Sequence, residues 1–164
     1  MAHDRPPSIL WELYVAYQRT GQMISAAFAG TETPAEDYAI YSRLATHGPA
    51  TPTELAAELG MPRSTLMLRF KRLVDRGHAT QVPNPVDGRS SLLTLTAAGR
   101  EAQEAALPHF RAVLAAVAEE LTIPREEVAA TLAELARAAE AALETQRGRE
   151  VAEARRRAVA QAER

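Results

Sequence analysis

The feature that most narrows the fold is a pair of short helix patterns separated by a single turn, with a polar hairpin directly behind them. Thr51-Pro52-Thr53-Glu54 is a helix start: the threonine caps, the proline takes the first position, and the glutamate reaches back to the cap. The helix it opens turns Leu55, Ala56 and Leu59 inward, and Gly60 predicts a left-handed stop. Only Gly60 and Met61 stand before Pro62, which opens the next helix, running to Arg76 and ending at Gly77. Two helices joined so tightly must cross steeply, as in a helix-turn-helix.

In the second helix Leu66, Phe70, Leu73 and Val74 form the stripe predicted to be buried. Thr65, Leu68, Arg69, Arg72 and Arg76 are read as opposite it, with Ser64 and Lys71 on the flanks. Leu68 in a polar, basic face suits contact with a thymine methyl, although a single exposed leucine is ordinary on any surface. Residues 78–83 and 91–95 read as two strands joined by Asn84-Pro85-Val86-Asp87-Gly88-Arg89-Ser90. An arginine at such a tip can enter a minor groove, and Asp87 can hold Arg89 in position. Thr96 caps the following helix, and Gly99 leaves room there for another backbone to approach.

The net charge of -2 argues against a polyanionic partner until it is divided along the chain. Residues 63–96 hold six basic and two acidic side chains, whereas residues 1–62 hold three and seven, and residues 97–146 hold four and nine. Positive charge is therefore concentrated where a phosphate backbone would be met, which makes duplex DNA the first candidate ligand. A short basic run alone is more often a solvated face.

The remaining helices are predicted over Ser8 to about Ala29, from a second start at Thr33-Pro34-Ala35-Glu36 to His47, from Thr96 to about Leu121, and from Pro124 to about Gln146. Thr33 is expected to cap the second of these and Glu36 to reach back to it. The fold class is mainly α with a small β-wing (α+β), a single domain over residues 1–146 with segments 8–48, 51–99 and 97–146. Residues 147–164, with six basic and three acidic side chains and almost no apolar face, read as a charged tail, frayed or disordered. Apolar stripes at Leu107, Val113, Leu114, Val117 and Leu121 and at Val128, Leu132, Leu135, Ala139 and Leu143 exceed what one module can cover, so a homodimer is expected.

There is no cysteine, which excludes disulfides, thiolate metal sites and thiol redox sensing. His3, His47, His78 and His109 lack ligand spacing, and no nucleophile motif or phosphate-cradling glycine loop occurs. No metal, cofactor, catalytic residue or enzymatic activity is therefore expected. The N-terminus lacks the order of a signal peptide and no apolar run approaches the roughly 20 residues of a membrane span, so a cytoplasmic protein without a membrane partner is expected.

Leu55-Ala56-Ala57-Glu58-Leu59-Gly60, Leu73-Val74-Asp75-Arg76-Gly77, and Asp87-Gly88-Arg89 followed by Leu95-Thr96-Ala97-Ala98-Gly99 together resemble the MarR (multiple antibiotic resistance regulator) family. The resemblance covers about residues 8 to 146. His78 stands where the family usually has an apolar residue, and Gln81 where a basic one is common. The resemblance implies a ligand-responsive transcriptional regulator, most often a repressor, binding a palindromic operator as a homodimer joined through its first and last helices. The DNA-binding candidates are then Thr53, Arg63, Ser64, Thr65, Leu68, Arg69, Lys71, Arg72, Asp87 and Arg89. Arg69 is the choice for a base edge, and Arg63 and Ser64 for phosphates. The family also implies a pocket for a small aromatic or phenolic effector, and Trp11, Tyr14, Tyr17, Tyr38 and Tyr41 are its candidates; the plainer reading packs them into the core and dimer interface. The competing functional class is a winged-helix protein-interaction module or anti-regulator that does not bind DNA.

Overall fold

The computed structural model describes residues 8–162; the segment 1–7, with His3, and tail residues 163–164 lie outside the described residues. The order is α1 (Ile9–Ala27), α2 (Ala35–His47), α3 (Pro52–Glu58), α4 (Arg63–Asp75), β1 (Ala79–Pro83), β2 (Ser91–Leu95), α5 (Ala97–Glu120) and α6 (Arg125–Ala162). This is the mainly helical fold with a small wing read from the sequence. The chain divides into two compact units, residues 1–116 and 117–164.

The core of the first unit gathers Ile40, Tyr41 and Leu44 of α2, Leu55 and Ala56 of α3, Leu66, Phe70 and Leu73 of α4, and Ala79, Leu93 and Leu95 of the wing strands. β1 and β2 are antiparallel, from Ala79 opposite Leu95 to Pro83 opposite Ser91. Ala50, just before α3, exchanges backbone hydrogen bonds with Leu93 at 3.2 and 2.8 Å. That bridge ties the root of the wing to the entry of the helix pair, and nothing in the local sequence pattern announces it.

The tight turn forms as its residues require. Glu54 N–H donates to Thr51 Oγ1 at 3.2 Å, and Thr51 N–H donates to Glu54 Oε2 at 2.9 Å. The Thr51 N–H and the Thr51 hydroxyl, which also donates to Glu54 Oε2 at 2.8 Å, together hold the Glu54 carboxyl below the usual carboxylate range. Gly60 then takes φ of +61°, a conformation side chains resist, and lets α4 begin after Pro62.

Three local readings are corrected. Thr33 does not cap α2: Pro34 is the cap, without a side-chain bond, while Thr33 is buried and its hydroxyl donates to the Ala102 carbonyl at 3.4 Å. Glu36 turns to Arg72 instead, so partners from distant sequence win over the local capping box. Val74 is exposed, because the stripe that α4 buries is narrow and Leu66, Phe70 and Leu73 fill it. The tail beyond Gln146 is not frayed: α6 runs unbroken through Gly148 to Ala162. Alanine, arginine and glutamate are strong helix formers, and one glycine costs only about 1 kcal/mol.

At the C-terminal side of the wing, Thr96 Oγ1 accepts from Gly99 N–H at 3.1 Å and donates to the Gly77 carbonyl at 2.7 Å. Gly99 lies directly against the His78 carbonyl, and a Cβ there would overlap that oxygen and sit 2.8 Å from the carbonyl carbon.

Candidate nucleic-acid interface

α4 presents Ser64, Leu68, Lys71 and Asp75 to solvent, and Leu68 is 63% exposed among them. Lys71 Nζ pairs with Asp75 Oδ2 at 2.7 Å, one turn further along the same face. Arg69, Arg72 and Arg76 do not join this outward face as the sequence reading placed them. At 100° per residue they fall on the flank between the buried stripe and the outward face, and α2 packs along that flank. Arg69 Nη1 donates to the Glu36 carbonyl, and Arg72 pairs with the Glu36 carboxylate. Arg76 Nη1 donates to Asp37 Oδ2 at 3.3 Å. The Arg72 hydrogen bond, reinforced by the charges of Arg72, Arg69 and Arg76 against some desolvation, holds the Glu36 carboxyl below its usual range. Thr65 is half-buried on the same flank.

A second set of candidates comes together elsewhere. Thr53 of α3, Arg63 at the start of α4, and Asp87 and Arg89 of the wing loop line one concave surface with Asn84 and Ser90, enclosing about 480 Å³. The wing tip is tied by its own hydrogen bonds: Asn84 Oδ1 accepts from Val86 N–H at 3.0 Å, Asn84 Nδ2 donates to Ser90 Oγ at 2.9 Å, and Ser90 N–H donates to the Asp87 carbonyl at 3.0 Å. Asp87 Oδ1 accepts from the Arg89 backbone N–H at 3.1 Å. It therefore fixes the turn that carries Arg89 and leaves the guanidinium exposed. Among the described residues no carboxylate pairs with Arg63 or Arg89.

The wing is braced from behind by His78. Its Nδ1 shares a hydrogen bond of 2.9 Å with Tyr41 Oη, and its carbonyl accepts from Thr96 N–H at 3.0 Å. Burial pushes the Tyr41 hydroxyl pKa up, against the pull of the nearby Arg76 cation. The ring that replaces an apolar residue at this position is thus a polar strut between α2 and β1.

The five aromatic pocket candidates are not gathered in one place. Trp11, Tyr14 and Tyr17 stand exposed along α1. Tyr41 belongs to the core around α4, whereas Tyr38 sits between Phe28 and Phe110, with ring centroids 5.0 and 5.2 Å away. Tyr17 borders a cleft of about 510 Å³ between α1 and α2, whose walls also include Ile24, Ser25, Phe28, Glu36 and Arg69. Arg69 as a cleft residue was missed because its place follows from the packing of α2 on α4, which no local motif encodes.

Among the described residues there is no cluster of three or more metal-ligating side chains, and no helix is long and apolar enough to cross a membrane.

A helix pair joined by a single tight turn, an outward second helix and a braced two-stranded wing define a winged helix-turn-helix protein. Residues 37–90 match the family model of the MarR family. The chain is similar to a probable transcriptional regulator from Pseudomonas aeruginosa, at 28% identity and a TM-score of 0.64, over 75% of this chain and 96% of that one. It is similar to the M. tuberculosis transcriptional regulator MosR, solved in complex with DNA, at 26% identity and a TM-score of 0.72, over 82% and 98%. The fold is shared with Bordetella bronchiseptica BpsR, whose DNA binding is regulated by 6-hydroxynicotinic acid, at 21% identity and a TM-score of 0.69, over 85% and 98%. A search of curated protein sequences returned no match.

Proposed function

We propose that this protein is a transcriptional regulator that binds duplex DNA as a homodimer on an inverted repeat, as a repressor. The observation that carries this is the placing of exposed Ser64, Leu68 and Lys71 on one helix face, beside a concave surface where Arg63 and Arg89 have no carboxylate partner. In a B-form major groove Leu68 would meet thymine methyls while Ser64 and Lys71 flank it. Arg63 and the first N–H groups of α4 would grip phosphate, and Arg89 would enter the adjacent minor groove. The MosR relative in its DNA complex supports the same use of the fold. Enrichment of duplexes from a random pool tests this. The full chain should enrich an inverted repeat, and Arg89→Ala should cost about 1–3 kcal/mol on repeats with A·T-rich flanks and less on G·C-rich ones. A pool from which nothing is enriched would favour the protein-interaction reading, and an equal loss on all flanks would make Arg89 a phosphate contact only.

For the effector, the α1–α2 cleft supports a small aromatic acid: Tyr17 and Phe28 offer ring faces, and Arg69 offers the only cation among its lining residues. A charge-assisted hydrogen bond contributes about 1.5–3 kcal/mol. Benzoate and phenolic acids should therefore release the wild-type protein from the enriched duplex, and Arg69→Met should raise the concentration needed by about tenfold or more. Release that is unchanged in Arg69→Met would place the effector elsewhere.

A further inference from the structure

α4 sends Arg69, Arg72 and Arg76 onto the first turn of α2, and two of them converge on one carboxylate. Arg72 Nη1 lies 3.8 Å from Asp37 Oδ1, and Arg76 Nη1 lies 3.3 Å from Asp37 Oδ2. The Asp37 side chain is 0% exposed, whereas those of Arg72 and Arg76 remain 39% and 32% exposed. Its Oδ1 has no hydrogen-bond partner.

As a source of stability this arrangement is poor. Desolvating a carboxylate cancels most of its attraction to the guanidiniums, and apolar side chains of similar volume often hold two elements as well or better. What an ion pair has and an apolar contact lacks is direction, because a planar guanidinium donates to a carboxylate over a narrow range of angles. Leu66, Phe70 and Leu73 alone would tolerate small rotations of α4, since apolar cores repack around changes of shape at little cost. A helix that reads base edges has to be held within roughly 0.5 Å and 10–20°.

We propose that Asp37, acting through Arg72 and Arg76, is a positioning residue for DNA recognition: the clasp fixes the angle at which the Leu68 face of α4 meets the bases, and so governs sequence discrimination and not grip. This rests on the DNA-binding reading above.

The test replaces the clasp by an apolar contact, in Asp37→Leu combined with Arg76→Met, which removes one charge of each sign. Affinities of the full-length wild type and variant are compared on the duplex the wild type enriches and on a scrambled duplex of equal composition. The variant is expected to melt within a few degrees of the wild type and to bind the scrambled duplex within about threefold. Its preference for the enriched duplex should fall at least about tenfold, comparable to losing one base-pair contact. If the apolar pair does not fold, Asp37→Asn with Arg76→Gln keeps size and hydrogen bonding without the charges, and the same loss of preference is expected. A folded variant that keeps the wild-type preference overturns the proposal, and so does an equal loss on both duplexes. If the wild type enriches no duplex, the DNA-binding reading fails and the clasp falls with it.

Discussion

Gly99→Ala should be the most destabilising single methyl that can be added to the winged unit, by about 3 kcal/mol, at the upper end of overpacking costs. In thermal melting that is about 6–12 °C for a chain of this size. The new Cβ would overlap the His78 carbonyl oxygen, which is backbone and cannot rotate away. That carbonyl also accepts the Thr96 N–H, and His78 holds Tyr41 through its ring, so a shift would loosen the wing, the start of α5 and the strut to α2 together. Gly148→Ala, where an added Cβ meets nothing, is the control and should be neutral or slightly stabilising. Melting of both variants under one buffer checks this; a Gly99→Ala protein as stable as the wild type would mean that the close approach is not tight in solution.

The second large effect concerns assembly. Leu132 and Leu143 of α6 are 50% and 48% exposed, so a charge at either position costs the isolated chain little. If these residues form the contact between two copies, Leu132→Glu with Leu143→Glu should give a folded monomer by sedimentation. Its affinity for the enriched inverted repeat should fall about 10³-fold, towards the non-specific level, since only one half-site is held. A variant that remains dimeric, or a monomer that binds the repeat as tightly as the wild type, would remove α6 from the dimer contact.

How far the sequence could be read depended on whether each interaction was local. The Thr51–Glu54 capping box, the Gly60 stop and the wing turn around Asn84 and Asp87 are all set by residues a few positions apart, and each is found in the structure. The close approach at Gly99 was legible from the glycine alone, but its partner, His78, lies far back in the sequence. Thr33 and Glu36 carry the same local signal as Thr51 and Glu54, yet Ala102 and Arg72, far off in sequence, take their side chains. Arg69, Arg72 and Arg76 were read as lying opposite the buried stripe, with Arg69 as the base contact; that α2 lies along their flank follows only from the tertiary packing. The scattered aromatics show the same limit. Clustering in sequence placed Tyr38 and Tyr41 with Trp11, whereas three positions of rotation on α2 put them in two separate cores. The helical tail was misjudged for a different reason: lack of an apolar face was weighed above intrinsic propensity, and propensity prevailed.

The most direct measurement is the affinity of the full chain for its enriched duplex, by fluorescence anisotropy, as salt rises from about 50 to 200 mM. Arg63, Lys71 and Arg89 of each protomer bring roughly six cations against the DNA polyanion in a dimer, and binding that releases the displaced counterions should weaken about 10³-fold over that range. The stoichiometry should be two chains per duplex, with half-site centres about 10 base pairs apart, since paired recognition helices lie about one helical turn, roughly 34 Å, from each other. Affinity that stays flat with salt, or saturation at one chain per duplex, would contradict the account.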